Sequence, residues 1–140
     1  MLQAALAPLQ SKFRPAVYRA VDEELDEAAS VRHSSPERRR HLLQVFHFCR
    51  ALDTALKEVI EINGTNPEKT LGRCFRQMLP PPKGEMSLIN QSQYDNFYAD
   101  VCEPRNRFMH EANAFPNSEY ETAIHVGNIA ACFCEVLKFV

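Results

Sequence analysis

The longest regular pattern in the chain is a series of apolar residues in its second quarter. The apolar positions are Leu42, Val45, Phe46, Cys49, Leu52, Leu56, Val59 and Ile60. Their spacing of three and four places them on one stripe of an amphipathic α-helix. Ser34 or Ser35 can cap the start of this helix, with Pro36 in its first turn. The dipeptide at 63–64, Asn-Gly, supplies the signal that ends it.

Two further helices are predicted in the middle of the chain. Asn66 can cap, and Pro67 can start, a shorter helix that ends at the prolines of positions 80–82. Those prolines and the residues after them, up to position 87, predict a loop because proline cannot continue a helix interior. Another helix is expected from about Gln91 towards Pro104.

The last predicted helix is the most apolar part of the chain. Ser118 and Glu121 have the spacing of a capping box at its start. From Ile124 to Val140 the residues are apolar on nearly all sides, and the small residue Gly127 and the alanines at 130 and 131 would allow a neighbour to approach closely. Such a helix is typical of the middle of a bundle or of a subunit interface.

Signals for β-strands are scarce, since no long alternating run of β-branched residues is present. The first 30 or so residues predict a helix or a helix pair, interrupted near Pro8 and Pro15. The chain of 140 residues is long enough for one domain with a core of its own. The sequence therefore predicts a single domain over residues 1–140, an all-α bundle of four long helices plus a short helix.

Charge is segregated along the chain although its net value is only −2. Residues 21–29 carry five acids and no base, whereas residues 31–50 carry five arginines, three histidines and one acid. A generally basic coat for nucleic acid is absent, so any site for a polyanion must be a local patch. The basic segment is either a solvated helix start or part of a rim that guides RNA, and Lys69, Arg73 and Arg76 could extend such a rim.

The cysteines and the apolar runs indicate a cytoplasmic location. Five cysteines, an odd number with no CxxC pair, suit a reduced compartment. The N-terminus lacks the basic segment of a signal peptide, and no apolar run of 18 residues predicts a membrane span. His47 and Cys49 are two apart and point to different sides of a helix, and no further pair at ligand spacing completes a site, so no metal site is expected. No other cofactor is expected either.

Polar side chains crowd into residues 103–115, EPRNRFMHEANAF. Pro104 fits either the first turn of a helix, capped by Asp100 or Glu103, or a kink within a longer helix. Phe108 and Met109 are expected to anchor this turn in the core. Position 115 is also apolar and would lie against the same core.

Four side chains of this stretch suit the binding of a phosphate. On a helix Asn106 and His110 share one stripe, because they are four residues apart. Arg105 lies about 140° from His110 in projection but has a long side chain. A helix start with the charges of Arg105 and Arg107 would attract an anion. His110 can take and give protons near neutral pH, and Asn106 can hold a base, a phosphate oxygen or the imidazole.

A phosphate site beside a histidine favours one reaction, the cleavage of RNA by its own 2′-hydroxyl. A base removes the hydroxyl proton, the oxygen attacks the adjacent phosphorus, and cations stabilise the charge that develops. The products would be a 2′,3′-cyclic phosphate and a 5′-hydroxyl. The same residues also suit a helix start at which they only cap, pair with acids and contact water.

The segment RNRFMH, residues 105–110, resembles the Rx4-6H motif of the HEPN superfamily, with asparagine after the arginine. The resemblance implies a HEPN-like helical bundle and a metal-independent endoribonuclease of toxin–antitoxin, defence or RNA-processing type. It makes Arg105, Asn106 and His110 the catalytic residues, with Arg107 as an added substrate-binding charge. It also implies a homodimer in which two motifs face each other across the interface, with RNA as substrate and an antitoxin protein as a candidate partner.

Two other functions stay open beside the nuclease. One is a non-catalytic HEPN-like adaptor that binds nucleotides or proteins, and the other is a helical regulator whose polar stretch is only a cap. Ala112 stands where related toxins that a partner enzyme modifies often carry tyrosine, so that form of control is not supported. Asp53 or Glu58 could contact the motif, as acidic residues do in some HEPN enzymes, and the spacing selects neither.

Overall fold

The computed structural model describes residues 2–31, 37–112 and 114–140, with only the backbone of Arg38. Within these ranges the chain is helical and contains no strand, which confirms the all-α prediction. The α-helices are α1 Leu2–Leu6, α2 Pro15–Ser30, α3 Glu37–Ile62, α4 Leu71–Gln77, α5 Gln91–Phe97, α6 Glu103–His110 and α7 Glu119–Leu137. No helix in the described ranges has both the length and the apolar character that crossing a bilayer requires.

Helix α3 is the centre of the bundle, because α2, α4, α6 and α7 all pack against it. Its predicted apolar stripe is confirmed. The buried members are Val45, Cys49, Leu52, Leu56, Val59 and Ile60, while Leu42 and Phe46 are partly buried. Each large aliphatic side chain that leaves water here stabilises the fold by roughly 1.5–3 kcal/mol.

The end of α3 follows the sequence signal. Gly64 has a φ of +87°, a left-handed conformation that suits glycine after a helix. The amide of Thr65 donates to the carbonyl of Ile60 at 3.2 Å and closes the last turn. The predicted cap at Ser34 to Pro36 lies outside the described residues.

Helix α4 begins later than the sequence predicts. Thr70, not Asn66, caps it, and its hydroxyl accepts from the amide of Arg73 at 3.4 Å. The buried side chain of Gln77 explains the difference: it donates to the carbonyl of Asn66 at 2.8 Å and accepts from the amide of Glu68 at 2.8 Å. These two bonds keep residues 66–68 out of the helix.

The loop after α4 is confirmed and lies against the end of that helix. A Cβ on Gly84 would come within 2.1 Å of the Leu79 carbonyl oxygen and 2.4 Å of the Arg76 carbonyl oxygen. Only glycine allows so close an approach. The amide of Gly84 also donates to the carbonyl of Pro80 at 3.1 Å.

Helix α6 does not start at Pro104. A π-helical turn, Tyr98–Cys102, joins α5 to α6, so the chain is helical from Gln91 to His110. The amide of Glu103 donates to the carbonyl of Tyr98, and neither Asp100 nor Glu103 caps a helix. Pro104 is therefore the proline of a longer helix, and the π turn accommodates its missing amide donor. The free amides of a helix start, expected for phosphate binding, are not present at this position.

Helix α7 begins as predicted, with Ser118 accepting from the amide of Glu121 at 3.1 Å. It is less enclosed than its composition suggests. Ile129 and Phe133 are buried, whereas Tyr120 and Ile124 are exposed. A Cβ on Gly127 would meet no atom of the described residues within 4 Å, so the close approach expected at this glycine does not occur in the described part of the chain.

The acidic and basic residues that are segregated along the sequence form ion pairs between helices. Glu24 of α2 accepts from Nδ1 of His47 at 2.7 Å and pairs with Arg50 at 3.1 Å, both on α3. Arg40 lies 3.5 Å from Glu37 and 3.6 Å from Glu119 of α7. The N-terminal prediction is also confirmed in outline: Pro8 lies in a 3₁₀ turn, Ala7–Leu9, and Pro15 starts α2.

One buried carboxylate ties the start of α2 to α3. Glu58 accepts from the side chain of Arg14 at 2.6 Å and from its amide at 2.9 Å, and Arg14 also pairs with Glu61 at 2.8 Å. Burial raises the pKa of the Glu58 carboxyl, but the hydrogen bonds and charge of Arg14 outweigh burial and leave that pKa below its ordinary value.

Replacing Arg14 by methionine should lower the midpoint of urea denaturation at pH 7, because the buried Glu58 carboxylate loses its charged donor. A carboxyl whose pKa is lowered by folding stabilises above its unfolded pKa, about 4.3, and that contribution is lost as the pH falls through the folded pKa. The difference between Arg14→Met and wild type should therefore shrink at pH 3. Lys138→Met, which breaks an exposed pair with Glu135, is the control; an equal loss in both variants would contradict this account.

Candidate functional site

A cleft of about 350 Å³ lies between α4 and the helical run from α5 to α6. Its volume is at the lower end of the range for small-ligand sites. The lining residues are Thr70, Leu71, Gly72, Arg73, Arg76, Tyr94, Tyr98, Cys102, Arg105, Asn106 and His110. Of these described residues none is acidic, so three guanidinium groups dominate the charge of the cleft.

Three of the four predicted site residues line this cleft together. Arg105 and Asn106 are half-buried and His110 is exposed. The guanidinium of Arg105 donates to Oδ1 of Asn106 at 3.2 Å, which fixes the arginine beside the amide. The projection angle of about 140° between Arg105 and His110 therefore does not keep them apart. One chain already places both on the same cleft.

Arg107 is not among the lining residues. Its guanidinium carbon lies 5.2 Å from the centroid of the Phe108 ring, and its side chain is exposed. Phe108 is buried as predicted, but Met109 is 49% exposed and does not anchor the turn. The anchor is instead Phe108 with His125 of α7, whose rings meet edge to face at 5.1 Å.

His125 was not singled out by the sequence, because a lone histidine on an apolar helix gives no signal. Burial lowers its pKa, and the nearby charge of Arg107 lowers it further against the opposing effect of Glu121. A neutral imidazole packs against Phe108 without the cost of a buried charge. His125 thus supports α6 from behind the cleft.

Arg73 and Arg76 extend along α4 on the opposite wall. They are three residues apart on the helix and both are exposed. Neither side chain forms an ion pair with any residue that the structure describes. The suggestion that these arginines belong to a basic rim agrees with this position, whereas Lys69 is not among the lining residues.

Two tyrosines of the α5 region also line the cleft, and neither was predicted from the sequence. The rings of Tyr94 and Tyr98 lie 6.1 Å apart at 31°. Burial raises the pKa of the Tyr94 phenol, against the charge of Arg76, so this hydroxyl remains a neutral donor at neutral pH. Their spacing of four residues on a predicted helix was the signal that could have found them.

A smaller cavity of about 260 Å³ adjoins the motif on the α3 side, and Arg105 lines it as well. Asp53 is the acidic residue of this cavity. Its Oδ2 accepts from Lys57 at 2.8 Å, while Oδ1 is buried without a partner in the described part of the chain. Of the two acids left open by the sequence, Asp53 shares a cavity with Arg105, and Glu58 pairs with Arg14 instead.

The basic segment near the start of α3 is only partly described. Residues 32–36 lie outside the described ranges, and Arg40, His41 and Arg50 pair with acids. His41 and Cys49 are buried. With the exception of Arg39, the basic side chains of this segment that the structure describes thus form contacts within and between helices.

The thiols of the site are poor nucleophiles. Burial raises the pKa of Cys102, which lines the cleft, to about 12, and it raises the pKa of Cys49 to about 12. At pH 7 only about one thiol in 10⁵ would be ionised at such a pKa. Catalysis by a cysteine–histidine pair would thus lack a thiolate in this cleft.

Iodoacetamide should leave Cys102 unmodified in the folded protein at pH 7.5, because both burial and the raised pKa suppress thiolate attack. Intact-mass spectrometry should show at most one fast adduct, on the half-buried Cys134. Unfolding in urea should expose all five free cysteines to the reagent. Rapid labelling of Cys102 in the folded protein would contradict this assignment.

Comparison with known proteins adds no relative. No protein-family model matches the chain, and no curated protein and no solved structure matches it significantly. What the cleft can do is therefore inferred from its own side chains and from the resemblance of residues 105–110 to the HEPN motif.

Proposed function

We propose that the protein is a metal-independent endoribonuclease of HEPN type that cleaves RNA through its 2′-hydroxyl. One observation carries the proposal: Arg105, Asn106 and His110 line a single cleft that holds two further arginines and no described acidic side chain. A cleft with this charge suits a phosphodiester, and the histidine beside it suits proton transfer.

Arg105 is the residue that binds the scissile phosphate. The charge that develops on the equatorial oxygens during attack needs fixed positive groups, which act strongly in a partly enclosed site. Asn106 accepts a hydrogen bond from the Arg105 guanidinium, so it limits the rotamers of that side chain before substrate arrives. Arg105 is also half-buried, which leaves less side-chain entropy to lose on binding.

His110 is the group that moves a proton. It takes the proton of the 2′-hydroxyl or gives one to the leaving 5′-oxygen. RNA supplies its own nucleophile, so the residues of the cleft need only position the linkage, neutralise charge and transfer protons. The products are a 2′,3′-cyclic phosphate and a 5′-hydroxyl.

The resemblance extends the proposal to assembly and biological role. Two copies would form a homodimer with their motifs facing, and exposed Met109 beside exposed His110 offers contact surface at that edge. A nuclease of this kind would serve as a toxin, in defence or in RNA processing. An antitoxin protein is then a partner that would cover the cleft.

His110→Ala and Arg105→Ala should each slow RNA cleavage by roughly 10²–10⁴-fold with EDTA present, because each removes a group that acts on the phosphodiester. The rate of appearance of fragments from mixed RNA measures the loss. Arg107→Ala is the matched control: it removes the same charge from the same helix but not from the cleft lining, so it should lose far less. Wild-type rates for both His110→Ala and Arg105→Ala would overturn the assignment, provided that circular dichroism shows folded protein.

Mixing the two inactive variants tests the facing arrangement. If one linkage takes Arg105 from one subunit and His110 from the other, a heterodimer of Arg105→Ala and His110→Ala keeps one intact site. Random exchange should then restore about a quarter of the wild-type rate, because about half of the dimers are heterodimers with one good site of two. Mass spectrometry should confirm that the subunits exchange. If they exchange and the activity is not restored, the facing arrangement is contradicted, and each cleft acts within its own chain.

A non-catalytic adaptor is the second candidate, and exposed apolar residues of α7 favour it. Tyr120 is 78% exposed and Ile124 46% exposed, on the same helix as Gly127, where an added Cβ would meet no described atom within 4 Å. In that case the cleft would bind a nucleotide without cutting, and α7 would contact another protein. Wild-type protein that binds RNA and leaves it intact under all conditions would favour this candidate.

A further inference from the structure

Four side chains of the cleft have no individual role in the cleavage step proposed above. They are Arg73 and Arg76 on α4 and Tyr94 and Tyr98 on the opposite wall. Their presence in the same cleft as the motif needs a reason of its own, because aromatic rings do not stabilise a phosphoryl transition state.

Tyr98 offers an aromatic surface at the opening of the cleft. It is 41% exposed, and its ring lies beside Gly72 of α4: a Cβ on Gly72 would be in ordinary van der Waals contact with Cε2 of Tyr98, at 3.5 Å. Tyr94 supports the ring from one turn earlier, with centroids 6.1 Å apart. The ring is thus held between α4 and Tyr94 while a large part of it remains free to contact a ligand.

Arg73 and Arg76 stand beside that surface. They also line a second cavity of about 280 Å³, together with Lys83 and the two acids Glu68 and Glu85. The two arginines therefore form a ridge between the cleft and this cavity. A sugar–phosphate backbone leaving the cleft over α4 would meet both guanidinium groups, which present paired donors to phosphate oxygens.

We propose that the cleft contains a nucleobase subsite on the Tyr98 ring, supported by Tyr94, next to a phosphate subsite formed by Arg73 and Arg76. This assignment depends on the proposed function for its substrate, RNA. It adds that the nucleotide beside the scissile linkage must be unpaired, because a base inside a duplex cannot stack on a protein side chain. Stacking accepts every base, so the subsite selects single-stranded segments rather than a sequence.

The test uses binding without cleavage. The probe is a short fluorescein-labelled 2′-O-methyl oligonucleotide, which lacks the hydroxyl nucleophile, and its partner is the same backbone with abasic sites. Fluorescence anisotropy gives the affinity of each for wild type, His110→Ala, Tyr98→Ala and Tyr98→Phe. Tyr98→Leu keeps an apolar contact with Gly72 and serves if Tyr98→Ala does not fold. Tyr120→Ala removes an exposed tyrosine outside the cleft and is the matched control.

Wild type and His110→Ala should bind the normal probe roughly 5- to 100-fold more tightly than the abasic probe, the range that one stacked base provides. The preference should vanish in Tyr98→Ala and Tyr98→Leu and persist in Tyr98→Phe and Tyr120→Ala. Arg73→Gln and Arg76→Gln should weaken both probes alike and reduce the slope of log affinity against log salt by about 0.7 each, whereas Arg39→Gln on α3 should not.

Equal binding of the two probes by wild type, or an unchanged preference in both Tyr98→Ala and Tyr98→Leu, would overturn the subsite. Equal affinity for the single-stranded probe and for the same probe paired in a duplex would also overturn the subsite. A protein that shows the base-dependent binding but cuts no RNA would instead contradict the proposed nuclease while leaving the subsite in place. The nucleobase subsite and the proposed nuclease activity are thus contradicted by different results.

Discussion

The continuation of the helix through Pro104 is the constraint on which the cleft depends. A proline removes one amide donor from a helix, and the π turn at Tyr98–Cys102 accommodates that loss without ending the helix. Because the helix continues, Tyr98 and Arg105 belong to one rigid run, and buried Val101, Cys102 and Phe108 hold that run against the core. A break at the proline would separate the tyrosines from the motif.

The distribution of charge explains why the cleft attracts a phosphate although the chain is slightly acidic. The bases of α3 that the structure describes are largely paired: His47 and Arg50 meet Glu24, and Arg40 meets Glu119. Arg73 and Arg76 make no such pair with described residues. Ion pairs between helices therefore use the charges that the sequence concentrates in residues 21–50. The three arginines of the cleft are therefore left without an ion-pair partner among the described residues.

Local signals were enough to predict much of the fold. The apolar stripe of α3, the stop at Gly64 and the cap at Ser118 each follow from a few neighbouring residues. The start of α4 was wrong because it depends on Gln77, a side chain about ten residues away along the chain. The exposure of Met109 and the open space at Gly127 likewise depend on how helices pack, which periodicity within one helix does not contain.

The site could be predicted only as far as the motif reaches. Arg105, Asn106 and His110 are close in sequence, so their common location follows from one helix, although the helix start expected there does not exist. Tyr94 and Tyr98 were missed because they join the site through the packing of α5 against α4. Asp53 comes near Arg105 through the packing of α3 and α6, which no spacing along the chain encodes.

The chemical ends of the cleavage products test the central claim most directly. A defined RNA and its counterpart with a single 2′-deoxynucleotide before the cut linkage are incubated with the purified protein and EDTA, and the fragments are weighed by mass spectrometry. If the cleft directs the 2′-hydroxyl at the phosphorus, the RNA yields 2′,3′-cyclic phosphate and 5′-hydroxyl ends, and the substituted linkage stays intact. Fragments with 5′-phosphate ends, or equal cleavage at the deoxy linkage, would contradict the account.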